Sequence, residues 1–229
     1  MSLNIVEKID DAVKINHVLA SVSDKTGLDR LIPALININP AVKVYSTGGT
    51  YKAIQEMLGP QKASKNLVSV SDYTGQPEMQ GGLVKTLDFK IYLGLLSEAY
   101  NSAHVADLKR TRGVAIDMIV VNLYPFKQTV AKPDVTPEMA RTNIDIGGPC
   151  MVRASAKNFL RVASVTDPMD YSRILSELKS SGGRLTLKTR FELAKKAFAH
   201  TGEYDTAIAK YLAGRKFDDV SACYKIQKG

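Results

Sequence analysis

The chain has no tryptophan and only two cysteines and three histidines among its 229 residues. Cys150 and Cys223 stand far apart with no CxxC spacing, which excludes a zinc ribbon and gives no disulfide framework. His17, His104 and His200 are equally dispersed, so no local metal motif is present and no metal is expected. No apolar run approaches the ~18 residues that cross a bilayer. The opening "MSLNIVEKIDDAVKIN" carries acidic residues and lacks the apolar centre of a signal peptide, so a cytoplasmic protein is expected. Lysine and arginine exceed aspartate and glutamate by 31 − 23 = 8, but never in a run of five or six. That balance favours a small anionic ligand over a nucleic acid or a membrane surface.

What is present is an alternation of apolar runs and helical patterns. Strands are expected at 17–23, 42–47, 67–70, 117–123 and 161–166, with helical spacing after the first, second and last of them. A helix is also expected to end near Lys157. This order predicts an α/β fold, a parallel sheet covered on both faces. From Leu187 onward Phe191, Ala194, Phe198, Thr201, Tyr204, Ile208 and Tyr211 recur at three- and four-residue steps, giving one long amphipathic helix or two broken near Gly202. Such an apolar face should pack on the sheet or on a second subunit. The expected division is an N-terminal extension over 1–16, one domain over 17–215 and a tail over 216–229.

Polar residues gather where these strands end, the edge on which open α/β sheets bind ligands. The first strand ends in Ser21, Ser23, Asp24 and Lys25. The second runs into Thr47, Gly48, Gly49 and Thr50, read either as a tight turn or as an anion cradle at a helix N-terminus. The 117–123 strand ends in Asn122, with Tyr124 just beyond. Lys85 and Thr86 sit between apolar Val84 and Leu87, an awkward setting for a solvated lysine. Asp145 leads through Ile146 into a second glycine pair, Gly147 and Gly148, and on toward Lys157. Taken alone, Asp145 reads as a turn aspartate and Lys157 as an exposed helix lysine.

The segments "SVSDKTGL", "STGGT", "SDYTGQPEM", "VKTL", "VVNLYPF", "NIDIGGP", "RASAKN" and "KAFAHTGEYDTAIAKYL" occur in that order over about residues 17–212. Together they resemble the inosine-monophosphate (IMP) cyclohydrolase domain of the bifunctional purine-synthesis enzyme that also carries a transformylase. The resemblance implies a methylglyoxal-synthase-like fold, a homodimer and no cofactor. It implies that 5-formamidoimidazole-4-carboxamide ribonucleotide (FAICAR) is closed to IMP with loss of water. The nucleotide-contacting residues it implies are Ser21, Ser23, Asp24, Lys25, Thr47, Gly48, Gly49, Thr50, Thr86, Asn122, Ile146, Gly147 and Gly148. Lys85, Tyr124, Asp145 and Lys157 match the family's catalytic groups, Lys157 being first choice for proton transfer. Because nucleophile and electrophile sit on one molecule, catalysis means holding the reactive rotamer, removing an amide proton and stabilising the formyl oxygen.

Three positions depart from the family pattern. Leu83 replaces an arginine, Asp88 and Phe89 replace histidine-proline, and Phe159 replaces a histidine. Loss of the arginine removes a planar donor that lysine does not reproduce, so typical substrate affinity is not expected. The end "VSACYKIQKG" shows no start of the transformylase half. Either the chain is a single-function cyclohydrolase, supplied by a separate transformylase partner, or it is a truncated piece of the bifunctional protein; the former is the expectation. The rival reading is a nucleotide-binding regulatory module of the same fold, which needs the cradle but not Lys85, Tyr124, Asp145 and Lys157. Methylglyoxal synthase itself fits poorly, since the "IDIGG" and "AKN" segments are foreign to it.

Overall fold

The computed structural model describes residues 5–77 and 85–227. Five parallel strands form its centre: β2 (His17–Val22), β3 (Lys43–Ser46), β4 (Leu67–Ser69), β5 (Met118–Asn122) and β6 (Ala163–Val165). They lie in the order β4-β3-β2-β5-β6. The chain therefore builds outward from β2 in one direction and then restarts at β5 in the other. That reversal makes a topological switch point between β2 and β5, where a crevice opens beyond the strand ends. All five strands are those expected from the apolar runs. The continuous run Met118–Val121 is fully buried because a parallel sheet is covered on both faces.

The period-two alternation of each strand divides the core. Val18, Ala20, Val44, Met118 and Val120 point to one face, packed by α1 (Leu28–Ile38), α2 (Gly48–Asn66) and α9 (Tyr171–Ser180). Leu19, Tyr45, Ile119 and Val121 point to the other, with α4 (Phe89–Leu96), α8 (Gly147–Lys157) and α10 (Leu187–Ala213). In α1, Leu28, Leu31, Ile32, Leu35 and Ile36 supply the buried stripe that the spacing predicts. α2 is kinked at Gly59–Pro60, where Gly59 has φ 68°. Between β4 and β5 the chain also forms the short α3 (Val70–Thr74) and the surface helix α5 (Ser102–Thr111); α6 (Phe126–Val130) and α7 (Pro137–Thr142) follow β5.

α10 runs unbroken for 27 residues through Gly202. A helical glycine costs ~1 kcal/mol against alanine, but buried Ala197, Thr201 and Tyr204 on either side hold the helix to the core. The segment read as an extension joins the domain before residue 17. β1 (Ala12–Lys14) pairs antiparallel with β7 (Arg184–Thr186), and Ile15 is buried. Arg190, fully buried, fastens this seam by donating to the carbonyls of Asp10, Asp11, Phe159, Leu160 and Leu185. In the expected tail, α11 (Phe217–Ser221) packs near α7, and the Tyr224 hydroxyl donates to Glu138. No helix among the described residues is long and apolar enough to cross a membrane.

Candidate functional site

The crevice at the β2–β5 switch point is a cavity of about 520 Å³, the size range of small-ligand sites. Its walls include Ser21 near the end of β2, Ser23 and Lys25 after it, and Thr47, Gly48, Gly49 and Thr50 after β3. Lys85, Thr86, Asn122, Tyr124, Asp145, Ile146, Gly147 and Gly148 complete the expected set. Only Asp24 and Lys157 of the expected residues stand outside it. Val22, Leu87, Thr142, Ile144 and Met151 also line it and were not singled out by the sequence reading. They are apolar or common residues whose types announce no chemistry, so only the fold reveals them.

Asn122 turns out to be a clip. β5 and β2 are in register at Val22↔Asn122, so its side chain lies beside the loop that leaves β2. The Ser23 and Asp24 N–H groups donate to its Oδ1 at 2.7 and 3.0 Å, and its Nδ2 donates to the Asp24 carbonyl at 2.7 Å. Thr50 is similarly committed: buried, its Oγ1 accepts from the Val22 N–H and donates to the Val22 carbonyl, both at 3.0 Å. Both residues shape the cavity, and these bonds tie their polar groups to the protein. Asp24 faces solvent. Its carboxylate accepts from the Thr26 hydroxyl and N–H, which hold its pKa below the usual value.

Two helix N-termini, those of α2 and α8, open on the cavity and offer backbone N–H groups and positive dipole ends. Gly48 adopts φ 55°, and a Cβ there would lie 3.2 Å from Lys85 Nζ. A Cβ at Gly49 would lie 4.0 Å from Lys25 Nζ. The glycine pair thus brings two ammonium groups against bare backbone, the requirement of an anion cradle. At Gly147 an added Cβ would come within 2.6 Å of Thr86 Oγ1. Residues 85–86 therefore bridge the two helix ends.

Asp145 precedes α8, and the Gly148 N–H donates to its Oδ1 at 2.9 Å. Burial pushes its carboxyl pKa up, against the opposing pull of N–H bonds from Gly148 and Tyr124. The Asp145 N–H in turn donates to the Tyr204 hydroxyl at 2.8 Å. Tyr124 is half exposed at the mouth, and Ile146 is exposed at the rim of α8.

Lys157 lies at the opposite end of α8. Ten helical steps of ~1.5 Å separate it from Gly147, about 15 Å along the axis. It lines a second, apolar groove of about 760 Å³ with Leu96, Phe159, Phe191 and Phe198, rimmed by Arg153 and Lys195. Within one copy of the chain, Lys157 and Asp145 do not share a cavity. Two of the departures acquire local roles. Asp88 caps α4, its Oδ1 accepting from the Lys90 N–H at 2.8 Å, and Phe159 packs against Phe191 with ring centroids 5.2 Å apart. Leu83 lies outside the described residues. Among the described residues no group of three His, Cys, Asp or Glu side chains could hold a metal ion.

Comparison with known proteins agrees with this architecture. The MGS-like domain model matches residues 27–150, and the AICARFT/IMPCHase bienzyme model matches residues 155–228. The bifunctional purine biosynthesis protein PurH of Ruminiclostridium cellulolyticum is 46% identical over 198 residues, which are 86% of this chain and 37% of that protein. PurH of Synechococcus sp. strain CC9605 is 46% identical over 195 residues, 85% of this chain and 36% of its own length. The chain thus spans little more than a third of the curated relatives it matches. The crystal structure of ForH superposes with a TM-score of 0.69 at 32% identity, covering 86% of this chain and 97% of ForH. The chain belongs to the MGS-like domain family, and its matches to the AICARFT/IMPCHase bienzyme model and to PurH make it the counterpart of their IMPCHase portion.

Proposed function

We propose that this chain is an IMP cyclohydrolase, closing FAICAR to IMP with loss of water in purine biosynthesis. The observation that carries the reading is the switch-point cavity, which unites an anion cradle with a half-buried carboxylate of raised pKa. The substrate's 5′-phosphate is assigned to the α2 N-terminus, where Lys25 and Lys85 neutralise its charge and Thr47 adds a hydroxyl. The imidazole and its two substituents then extend across the switch point toward Tyr124 and the α8 N-terminus.

Ring closure joins the carboxamide nitrogen to the formyl carbon. A carboxamide is a poor nucleophile, so its proton must leave as the bond forms. Asp145 is assigned this proton, since a carboxyl whose pKa is raised by burial is a stronger base than an ordinary aspartate. The formyl oxygen gains charge as its carbon becomes tetrahedral, and the Gly147 N–H and the Thr86 hydroxyl are the donors assigned to it. Tyr124 closes the open side against the base. That oxygen then takes up the proton held by Asp145 and the proton of the 5-formamido nitrogen; its bond to carbon breaks, it leaves as water, and a C=N bond completes the ring. No oxidant is consumed, and every atom of the product comes from the substrate.

Lys157 has no part in this scheme within a single copy. We further propose a homodimer, supported by the exposed apolar face that Phe191 and Phe198 of α10 present beside Leu96 and Phe159. Operation in the cytoplasm follows from the same reading. A formyl transfer to the 5-amino group of the imidazole ribonucleotide must supply the substrate. The test is direct: purified protein and FAICAR are mixed with and without chelator, and IMP is followed by its absorbance. Metal-independent formation of IMP is the expected result, and no conversion above the uncatalysed rate overturns the proposal.

A further inference from the structure

Tyr204 lies on α10, remote in sequence from every site residue, and is not part of the cavity wall. Its side chain is buried at 7% exposure, yet its hydroxyl is fully engaged at the turn before α8. It accepts from the Asp145 N–H at 2.8 Å and donates to the Asn143 carbonyl at 3.3 Å. Backbone bonds within the turn already satisfy Asn143 and Ile144, whose N–H groups donate to Ala140 and Arg141. The Asp145 N–H is directed instead to the tyrosine. The ring of Tyr204 stands edge-on to Phe126, centroids 6.2 Å apart at 68°. Phe126 follows the Tyr124–Pro125 turn, and its N–H donates to the Tyr124 carbonyl at 2.8 Å.

A neighbour on the same helix shows that aromatic packing alone does not call for this arrangement. Tyr211 also packs edge-on against Phe126, at 5.8 Å and 90°, but its buried hydroxyl has no hydrogen-bond partner among the described residues. Tyr211 fills volume; Tyr204 fills volume and holds a turn.

We propose that Tyr204 is a positioning residue for the cyclisation: its hydroxyl clamps the Asn143–Asp145 turn so that Asp145 faces the cavity beside Tyr124. The inference rests on the reaction assigned above. Its physical basis is that an intramolecular attack tolerates little displacement of the base, so a shift of ~1 Å can cost ~10²-fold in rate. The phosphate end is built separately, on the loops after β2 and β3, and does not depend on the clamp.

Tyr204→Phe removes one oxygen and keeps the ring against Phe126. Turnover should fall by about 10- to 100-fold, while the affinity for IMP changes by no more than about threefold, the pattern of a lost transition-state interaction. With the turn released toward solvent, the acid limb of the turnover–pH profile should move to lower pH. Tyr211→Phe, run in parallel, should leave turnover, affinity and profile as they are. Unchanged turnover and an unchanged acid limb in Tyr204→Phe would overturn the proposal. If that variant does not fold, hydrogen exchange on the native protein decides. The Asp145 amide should be protected like the core amides of α10, and exchange at the rate of an open loop overturns the clamp. If the native protein does not cyclise FAICAR, the assigned reaction fails on its own. The clamp is then judged by the Asp145 carboxyl titration in the two proteins, a downward shift in Tyr204→Phe supporting it and identical curves overturning it.

Discussion

Replacing Asn122 separates two roles that an asparagine at a strand end can play, reading a base or shaping a phosphate loop. Its side chain makes three hydrogen bonds to the Ser23–Asp24 backbone. At ~0.5–1.5 kcal/mol net for each bond, Asn122→Ala should cost about 1.5–4.5 kcal/mol if nothing replaced them. The loop is accessible on its Asp24 side, where water can take over part of the bonding, which favours the lower end, about 1–2 kcal/mol. For a chain of this size that is a melting-temperature drop of about 2–8 °C. Asn122→Asp keeps an oxygen for the two N–H donors but turns an oxygen toward the Asp24 carbonyl. It also places a negative charge among groups that collect phosphate, with a repulsion of ~1–4 kcal/mol at close range. IMP affinity should therefore fall by roughly tenfold or less in Asn122→Ala and by about 10- to 100-fold in Asn122→Asp. Calorimetry with both IMP and ribose 5-phosphate distinguishes the roles. A loop clip weakens the two ligands alike, whereas a base reader weakens IMP alone. Unaltered ribose 5-phosphate binding in both variants would refute the argument.

Asp145→Asn should lower turnover by ~10²–10⁴-fold, the range for a lost general base, and IMP should bind as well or better because a carboxylate has left an anion site. In the native protein turnover should be lost as pH falls through the Asp145 pKa, which burial places above the ordinary aspartate value, since only the carboxylate accepts the proton. A pH-independent Asp145→Asn enzyme with native turnover would count against the assignment. Lys157→Met should leave IMP affinity within about twofold, because ~15 Å of helix separates that side chain from the cavity; titration calorimetry checks this, and a tenfold loss would contradict it. Any loss of turnover in this variant would have to come through a second copy and should then vary with protein concentration. Light scattering should give twice the 25.0 kDa chain mass at micromolar concentration, and a mass near a single chain would remove the proposed dimer.

The fold was legible where burial is continuous or strictly periodic. Met118–Val121 reads as a central strand because covering both faces leaves no polar alternation, and the α1 and α10 stripes repeat at helical spacing over several turns. The stretch between β4 and β5 was not legible. α4 reads "FKIYLGLL", apolar nearly all round, with little polar contrast to mark a period. α5 buries none of its residues fully, so its helical state leaves little imprint on apolar spacing. The pairing of residues 12–14 with 184–186 joins segments about 170 positions apart, and only tertiary contact can announce such a partnership.

The site divides along a different line. Residue type exposes groups that offer chemistry: the glycine pairs, Lys25, Lys85 and Asp145 each also have a plain turn or surface reading, and it was the resemblance to one family that chose the chemical one. Whether an offered group is free or already spent is a geometric question. Asn122 and Thr50 carry the right polar atoms, but those atoms are bonded to Ser23, Asp24 and Val22. Tyr204 was readable only as one apolar position in a helical stripe, though its hydroxyl meets Asp145. Lys157 is the converse. Twelve residues from Asp145, it sits close in sequence, but a straight helix of 11 residues converts that closeness into distance. Spacing along a chain implies proximity only when the intervening backbone turns back, and α8 does not. A motif shared with a family therefore fixes which residues are present, while the helix between them fixes which can act on one ligand in one copy of the chain.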